Sequence, residues 1–325
     1  MSDKKKLIGL SYEEYEHPKD KNALNALSAI PGVDSVTKKI FEKYLDKELF
    51  FNIHASGVEV TRDNEPRLHS LLSSCCAILD IHEIPPLYIA DSTLSQDWGA
   101  TNCVNNPLIV LGQNALERLN DQELMFLLGH ELGHIKSAHL LYRGVAENFT
   151  LIKEIANKAT LGLPLAQLLS AGVEIALMYW YRMSELTADR AGLLCCQDIS
   201  ACIDVFINFC DFPSSDCSSV PYLKIERFRE SFIKQAKNFR DLEESGPISK
   251  FIRMSQTVDR THPWTILRAS ELLDWHDTGE YKQVLNNENR NFSATVEKSS
   301  KFCPNCGASI PLNSKFCGGC GTVIS

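Results

Sequence analysis

The sequence predicts an α+β fold, mostly α, in which helices surround one small sheet and a short cysteine-rich unit follows at the C-terminus. Three observations carry this reading. Apolar residues recur at helical spacing along much of the chain, a short apolar run at 87–90 reads as strand, and two Cys-x-x-Cys pairs sit within the last 25 residues. With 325 residues, 44% hydrophobic and 23% charged, there is enough chain for one sizeable core plus a small satellite domain. We divide it into an N-terminal helical lead-in (1–60), a main domain (61–276), a polar linker (277–300) and the cysteine unit (301–325).

Residues Ala23 to Ile30 hold a helical pattern, Pro31-Gly32 break it, and Val36 to Phe51 resume it. Glu65 to Leu79 reads as a helix that cannot extend past Pro85-Pro86, since proline lacks the N–H a helix needs. Leu87-Tyr-Ile-Ala90 is then a short strand placed to pair near 107–111. From Asp121 to His139, Leu124, Phe126, Leu127, Leu128, Leu132 and Ile135 recur at helical spacing, which predicts a buried helix. Stretches at 199–210, 222–239 and 263–275 share that periodicity. Leu161 to Tyr181 contains no Lys or Arg and is long enough to span a bilayer. Against a span stand Gly162, Pro164, Gln167 and Glu174, a carboxylate at bilayer depth costing about 2.5 kcal/mol or more. We read it as a buried helix, with membrane contact as the alternative.

The chemistry is concentrated in Gly129-His130-Glu131-Leu132-Gly133-His134. Residues four apart lie on one helical face, so His130 and His134 can offer ring nitrogens to one zinc ion. Glu131 falls beside the metal, where a general base takes a proton from water whose pKa zinc lowers to about 7. A catalytic zinc keeps three protein ligands and one open position. The metzincin continuation fails, because it needs Gly at 137 and His at 140 and the chain has Ser137 and Leu140. Ser184-Glu185-Leu-Thr-Ala-Asp189-Arg190 instead places Glu185 and Asp189 four apart, the gluzincin arrangement. Glu185 completes the ligand set, and Asp189 accepts the second ring N–H of His130, fixing its tautomer.

These segments together resemble the zinc endopeptidase family that contains HtpX and the CAAX prenyl proteases. The matching pieces are Thr101-Asn102 followed by Pro107-Leu-Ile-Val-Leu111, Gly-His-Glu-Leu-Gly-His, Ser-Glu-Leu-Thr-Ala-Asp-Arg-Ala-Gly at 184–192, and Thr261-His262-Pro263 with Arg268, covering about 85–285. The resemblance implies a zincin-like domain that hydrolyses polypeptides. It also implies that the 107–111 strand, with Leu108, Ile109 and Val110, lies along the cleft, where an extended substrate pairs with its edge and Asn102 helps to hold the cleft. His262 would reach the fourth zinc position or the oxyanion of the tetrahedral intermediate, and it could also cap the zinc at rest. Arg268 would brace His262 or the substrate. Peptide hydrolysis belongs to the resemblance; the residues alone point to metal-assisted hydrolysis.

Cys303-Pro-Asn-Cys306 and Cys317-Gly-Gly-Cys320, ten residues apart, make a four-thiolate site with no open position, hence a structural zinc. So short a unit cannot bury enough core to fold alone, and metal binding supplies the folding free energy. It resembles the zinc ribbons appended to many bacterial proteins. On a polar tether it would dock a protein partner or the chain itself. The expected cofactors are therefore two zinc ions, one catalytic and one structural.

A formal net charge of -8 and a pI near 5.6 argue against a nucleic-acid partner, since only Lys4-Lys5-Lys6 forms a basic run. No apolar export segment follows Met1, which predicts a cytoplasmic protein. Twelve cysteines then stay reduced or bind metal, and the adjacent pairs Cys75-Cys76 and Cys195-Cys196 read as small buried apolar residues. His139, five after the second ligand, reads as structural, and His17, His54, His69, His82 and His276 have no ligand partner at useful spacing. Two other readings compete with a zinc endopeptidase: a catalytically silent adaptor that recruits partners through its ribbon, and a membrane-tethered quality-control factor. The intact set of His130, Glu131, His134 and Glu185 argues against silence, because a scaffold has no need of Glu131.

Overall fold

The computed structural model describes residues 4–30, 33, 46–91, 99–103, 105–152, 171–210, 221–243, 265–287, 300–302 and 309–311. After a 3-10 turn (Tyr12–Glu14), the elements in order are α1 (Pro18–Ser28), α2 (Asp46–Ser56), β1 (Val58–Val60), α3 (Pro66–Ile78), β2 (Leu87–Ala90), β3 (Gly99–Asn102) and β4 (Leu108–Gly112). There follow α4 (Gln113–Arg118), α5 (Asp121–Lys136), α6 (Leu140–Glu147), α7 (Ala171–Cys196), α8 (Ile199–Phe209), α9 (Pro221–Glu243), α10 (Thr265–Asp277) and α11 (Glu280–Asn286). A last hairpin joins β5 (Ser300–Phe302) to β6 (Ser309–Pro311). The fold is α+β and mostly helical, as its periodicity predicts.

The four-stranded sheet runs β1-β2-β4-β3, with β2 and β4 parallel and the outer strands antiparallel to their neighbours. β4 is buried along its whole length, as expected of a run of branched residues in a central strand. Its position corrects one expectation. Leu108, Ile109 and Val110 are 0% exposed, Ile109 and Val110 pair with β2 on one side and β3 on the other, and Leu108 pairs with β3, so β4 is a central strand with no open edge along Ile109 and Val110. The edge strand on the helix side is β3, which ends at Asn102 opposite Leu108.

The main core joins α3, α5, the C-terminal half of α7, α8 and α10 beneath the sheet. A second cluster gathers α1, α6 and the first half of α7 around Trp180. Both contain residues from before position 60. Leu7, Leu10 and Tyr15 lie in the first and Ala23, Leu27 and Val33 in the second, so the lead-in shares the cores of the main domain. At the other end the polar tether starts later than its composition implies, because Tyr281 of α11 is buried and packs edge-on against Trp275 with ring centroids 5.4 Å apart. The expected linking helix and the Glu185 helix are one continuous element, α7, with Leu177, Trp180 and Tyr181 buried. No described helix is long and apolar enough to cross a membrane. Residues 161–170 of the membrane-tested stretch, His262, and Cys303, Cys306, Cys317 and Cys320 lie outside the described residues.

Candidate active site

Helix α5 starts at a capping box that sets its register: the Asn120 side chain accepts the N–H groups of Gln122 and Glu123, and Glu123 accepts the N–H of Asn120 at 2.9 Å. Ten residues on, the helix presents His130, Glu131 and His134, all at most 5% exposed. It can carry them close to α7 because of its glycines. A Cβ at Gly129 would come within 2.4 Å of the Cys195 Cβ, and one at Gly133 within 2.6 Å of the Ala191 Cβ. The two helices therefore touch nearly backbone to backbone, and Glu185 and Asp189 of α7 face the imidazoles.

Three donor groups converge there. His130 Nε2 and His134 Nε2 are 3.2 Å apart, His134 Nε2 is 3.3 Å from Glu185 Oε1, and His130 Nε2 is 3.5 Å from Glu185 Oε2. A tetrahedron built on zinc–ligand distances of about 2.0–2.1 Å has edges of about 3.3–3.4 Å, so the donor spacing fits zinc. Glu185 Oε2 is buried, and its partners, Arg268 Nη1 at 3.4 Å and His130 Nε2 at 3.5 Å, stand at ion-pair distance beyond a good hydrogen bond. Among the described residues, His130, His134 and Glu185 form the one cluster of this kind. The donor set of two imidazoles and a carboxylate matches the ligands of catalytic zinc.

Two arginines surround this cluster. Arg268 of α10 is 2% exposed and forks onto Asp189, with Nε at 2.8 Å from Oδ2 and Nη2 at 2.6 Å from Oδ1. Asp189 Oδ1 in turn lies 3.0 Å from His130 Nδ1. Burial raises the Asp189 carboxyl pKa, but the Arg268 ion pair outweighs it and leaves the group below its ordinary range. Arg143 of α6 donates to Glu185 Oε1 and, at 3.2 Å, to the Tyr181 hydroxyl, which itself donates to Glu147 at 3.0 Å. Burial opposes ionisation of Glu185, but the charge of Arg143 and the hydrogen bonds of both histidines hold its pKa well down. The two rings differ. Burial works to deprotonate His130, yet its hydrogen bonds to Asp189 and Glu185 bring it up to about 9, whereas burial and then Arg143 push His134 well below the usual imidazole range.

Glu131 faces the sheet. The Thr101 hydroxyl of β3 donates to its Oε2 and lies 3.2 Å from its backbone carbonyl, and a Cβ at Gly99 would sit 3.4 Å from its Oε1. The edge strand is thus laid directly beside the motif helix.

Residues 63–276 match the profile of peptidase family M48, and residues 302–324 match a zinc-ribbon domain. The chain belongs to peptidase family M48. It is 32% identical over 294 residues, 89% of its length, to the plastoglobule-localized metallopeptidase 48, chloroplastic, of Arabidopsis thaliana, covering 79% of that protein. It is 24% identical over 104 residues to a protease HtpX homolog 2 of Methanosarcina mazei, a local match covering 34% of that relative. A protease HtpX homolog 2 of Methanosarcina acetivorans is likewise 24% identical over 110 residues. No solved structure matches the chain. Family membership makes this a metallopeptidase domain, followed by a zinc-ribbon domain.

Within the M48 domain the structure brings His130, Glu131, His134, Glu185 and Asp189 together, as their spacing predicts. Arg268 is forked onto Asp189 behind His130 and lies 3.4 Å from Glu185 Oε2, while the His262 it was expected to brace lies outside the described residues. Three participants were not anticipated. Arg143 could have been noticed as one cation in the otherwise apolar run Leu140 to Ala146. Thr101 was visible only as part of a resemblance. His139, read as structural, lies with Nδ1 3.0 Å from Nδ1 of His134. The chain turns back there because Ala138 adopts φ 55° at the end of α5, and the His139 N–H bonds the His134 carbonyl at 3.0 Å.

Proposed function

We propose that this M48 chain is a zinc-dependent endopeptidase of the gluzincin type, with His130, His134 and Glu185 holding the metal and Glu131 acting as general base and then general acid. The observation that carries it is the convergence of two imidazole nitrogens and the buried Glu185 carboxylate within 3.5 Å of one another, with the buried carboxylate of Glu131 next to His130 on its helix. When bound, zinc supplies Lewis-acid polarisation and a water acidified to about pKa 7. The chain's own residues do the rest. Glu131, steadied by Thr101, takes the proton from the attacking water and returns it to the leaving amine nitrogen. Asp189, itself pinned by Arg268, holds the His130 ring so that Nε2 faces the donor cluster. Arg143 and Tyr181 keep the Glu185 carboxylate from turning away.

A polypeptide substrate lies along β3, whose outer edge is unpaired among the described residues and whose Thr101 touches Glu131. Extended peptide would add there as a further strand, with main-chain hydrogen bonds supplying affinity and side-chain pockets specificity. His262 is assigned the developing oxyanion, on the strength of the motif it shares with the family. Cys303, Cys306, Cys317 and Cys320 hold a structural zinc, and the ribbon offers a docking unit for a protein partner.

The decisive comparison is wild type against Glu131→Gln, with metal content and casein digestion measured on the same preparations. The variant should keep about two zinc ions per chain and lose about 10²–10⁴-fold in turnover. Equal digestion by both proteins would refute the assignment of Glu131.

A further inference from the structure

A line of hydrogen bonds leaves the donor cluster behind His134 and ends on a helix outside the M48 match. His134 Nδ1 lies 3.0 Å from His139 Nδ1, and His139 Nε2 lies 3.2 Å from Oδ2 of Asp20 in α1. The Thr187 hydroxyl donates to the same Asp20 oxygen, and the backbone N–H of His17 donates to Thr187 Oγ1 at 3.0 Å. His134, His139, Asp20 and Thr187 are 0, 3, 1 and 0% exposed, so none of these bonds is shared with bulk water. Helix α1 is clamped in place by Lys19 Nζ at 2.6 Å and His17 Nε2 at 3.0 Å from the Glu271 carboxylate of α10.

The proton positions follow from a single condition. A His134 that offers its Nε2 lone pair to a metal carries its proton on Nδ1 and must donate from there. His139 Nδ1 must then accept, which leaves the His139 proton on Nε2, and that proton goes to Asp20. A protonated His139 would set two N–H groups face to face across 3.0 Å. One carboxylate therefore terminates two donors, and every member of the line has one allowed orientation.

We propose that His139 and Asp20 are positioning residues for His134, so that the N-terminal segment completes the metal centre from outside the family domain. Asp189 does for His130 in one step what Asp20 does for His134 in two: it orders the ring, fixes the tautomer and raises the basicity of the coordinating nitrogen. The inference rests on the reading of His134 as a zinc ligand. It goes beyond that reading in assigning a function to Asp20, 110 residues before His130.

The test uses the full-length chain. Cobalt(II) replaces zinc, because its spectrum on imidazole and carboxylate is separate from that on the four ribbon thiolates, and its affinity for the first site is measured by chelator competition. Asp20→Asn should weaken that affinity about 10- to 100-fold while the melting temperature of the metal-free protein stays at the wild-type value. Independently of any variant, ¹⁵N-histidine spectra of the zinc-loaded wild type should show His134 protonated on Nδ1 and His139 on Nε2. Unchanged affinity in Asp20→Asn overturns the proposal, as does a lower metal-free melting temperature with affinity retained. A His139 protonated on Nδ1 overturns it even if the variant fails to fold. A wild-type chain that takes up no metal at His130, His134 and Glu185 sinks the zinc reading as well, so the two failures are told apart.

Discussion

His130 and His134 are neighbours on one helix, yet their surroundings ask opposite things of their protons. Asp189 and Glu185 bring His130 up to about 9 against the effect of its burial, while burial and Arg143 keep His134 neutral. The metal and a proton therefore compete at His130. In the metal-free protein this raised pKa stabilises the fold fully below the ordinary imidazole value of 6.5, and the contribution is lost as pH rises through about 9. Metal affinity must run the other way, increasing with pH toward 9 as the proton leaves. Calorimetric titration with zinc near pH 7.5, in two buffers of different ionisation enthalpy, should show about one to two protons released at the imidazole site, one from His130 and a further fraction from the acidified water. Zero protons released there would contradict the arrangement around His130.

Between elements, the site depends on how closely α5 and α7 approach. Gly133 meets Ala188 and Ala191 with no room for a methyl group, since an added Cβ would lie 2.6 Å from the Ala191 Cβ and 3.2 Å from the Ala188 Cα. Gly133→Ala must push the helices apart, and the same displacement carries Glu185 away from His134. We expect a loss of about 3 kcal/mol, read as a melting temperature lower by roughly 5–10 °C, together with substoichiometric metal at the imidazole site. A variant with wild-type stability and full metal content would show that this contact is not tight. The glycines of the motif are thus as much a requirement of the site as its histidines, and for a steric reason.

For the whole molecule, the N-terminal segment and α10 are fastened to each other and to α7. Arg190 of α7 donates to the carbonyl of Glu16 at 3.2 Å and lies 4.8 Å from the Trp275 ring of α10, while Glu271 of α10 holds Lys19 and His17 of α1. Burial raises the Glu271 carboxyl pKa, but the His17 hydrogen bond and Lys19 outweigh it and bring it down to about 2. A depressed carboxyl contributes stability above its unfolded value of 4.5 and loses it as pH falls toward 2. Glu271→Gln should therefore cost on the order of 2–3 kcal/mol in urea unfolding at pH 7, and its difference from wild type should shrink steadily below pH 4.5. An equal deficit at pH 7 and pH 3 would mean that the side chain acts by packing and not by charge.

Much of this was legible in the linear chain, and the physical reason is periodicity. An α-helix brings residues four apart onto one face, so His130 with His134, and Glu185 with Asp189, declare themselves by spacing alone. The same rule located α3, α5, α8 and α10, and the two Cys-x-x-Cys pairs marked the ribbon. What spacing cannot express is which distant segments meet. That β4 would be central and β3 the edge depended on strand pairing across the sheet, and that Arg268 would turn to Asp189 depended on where α10 packs. Arg143, Thr101 and Asp20 come from three further segments, and nothing in their local spacing says which distant group each meets. The sequence by itself determined His130, His134 and Glu131, the proposed donors and base on one helix, because these are helical neighbours. Only the tertiary structure decided what orders them, because a buried hydrogen-bond network is closed by whichever polar groups the packing of helices delivers to it.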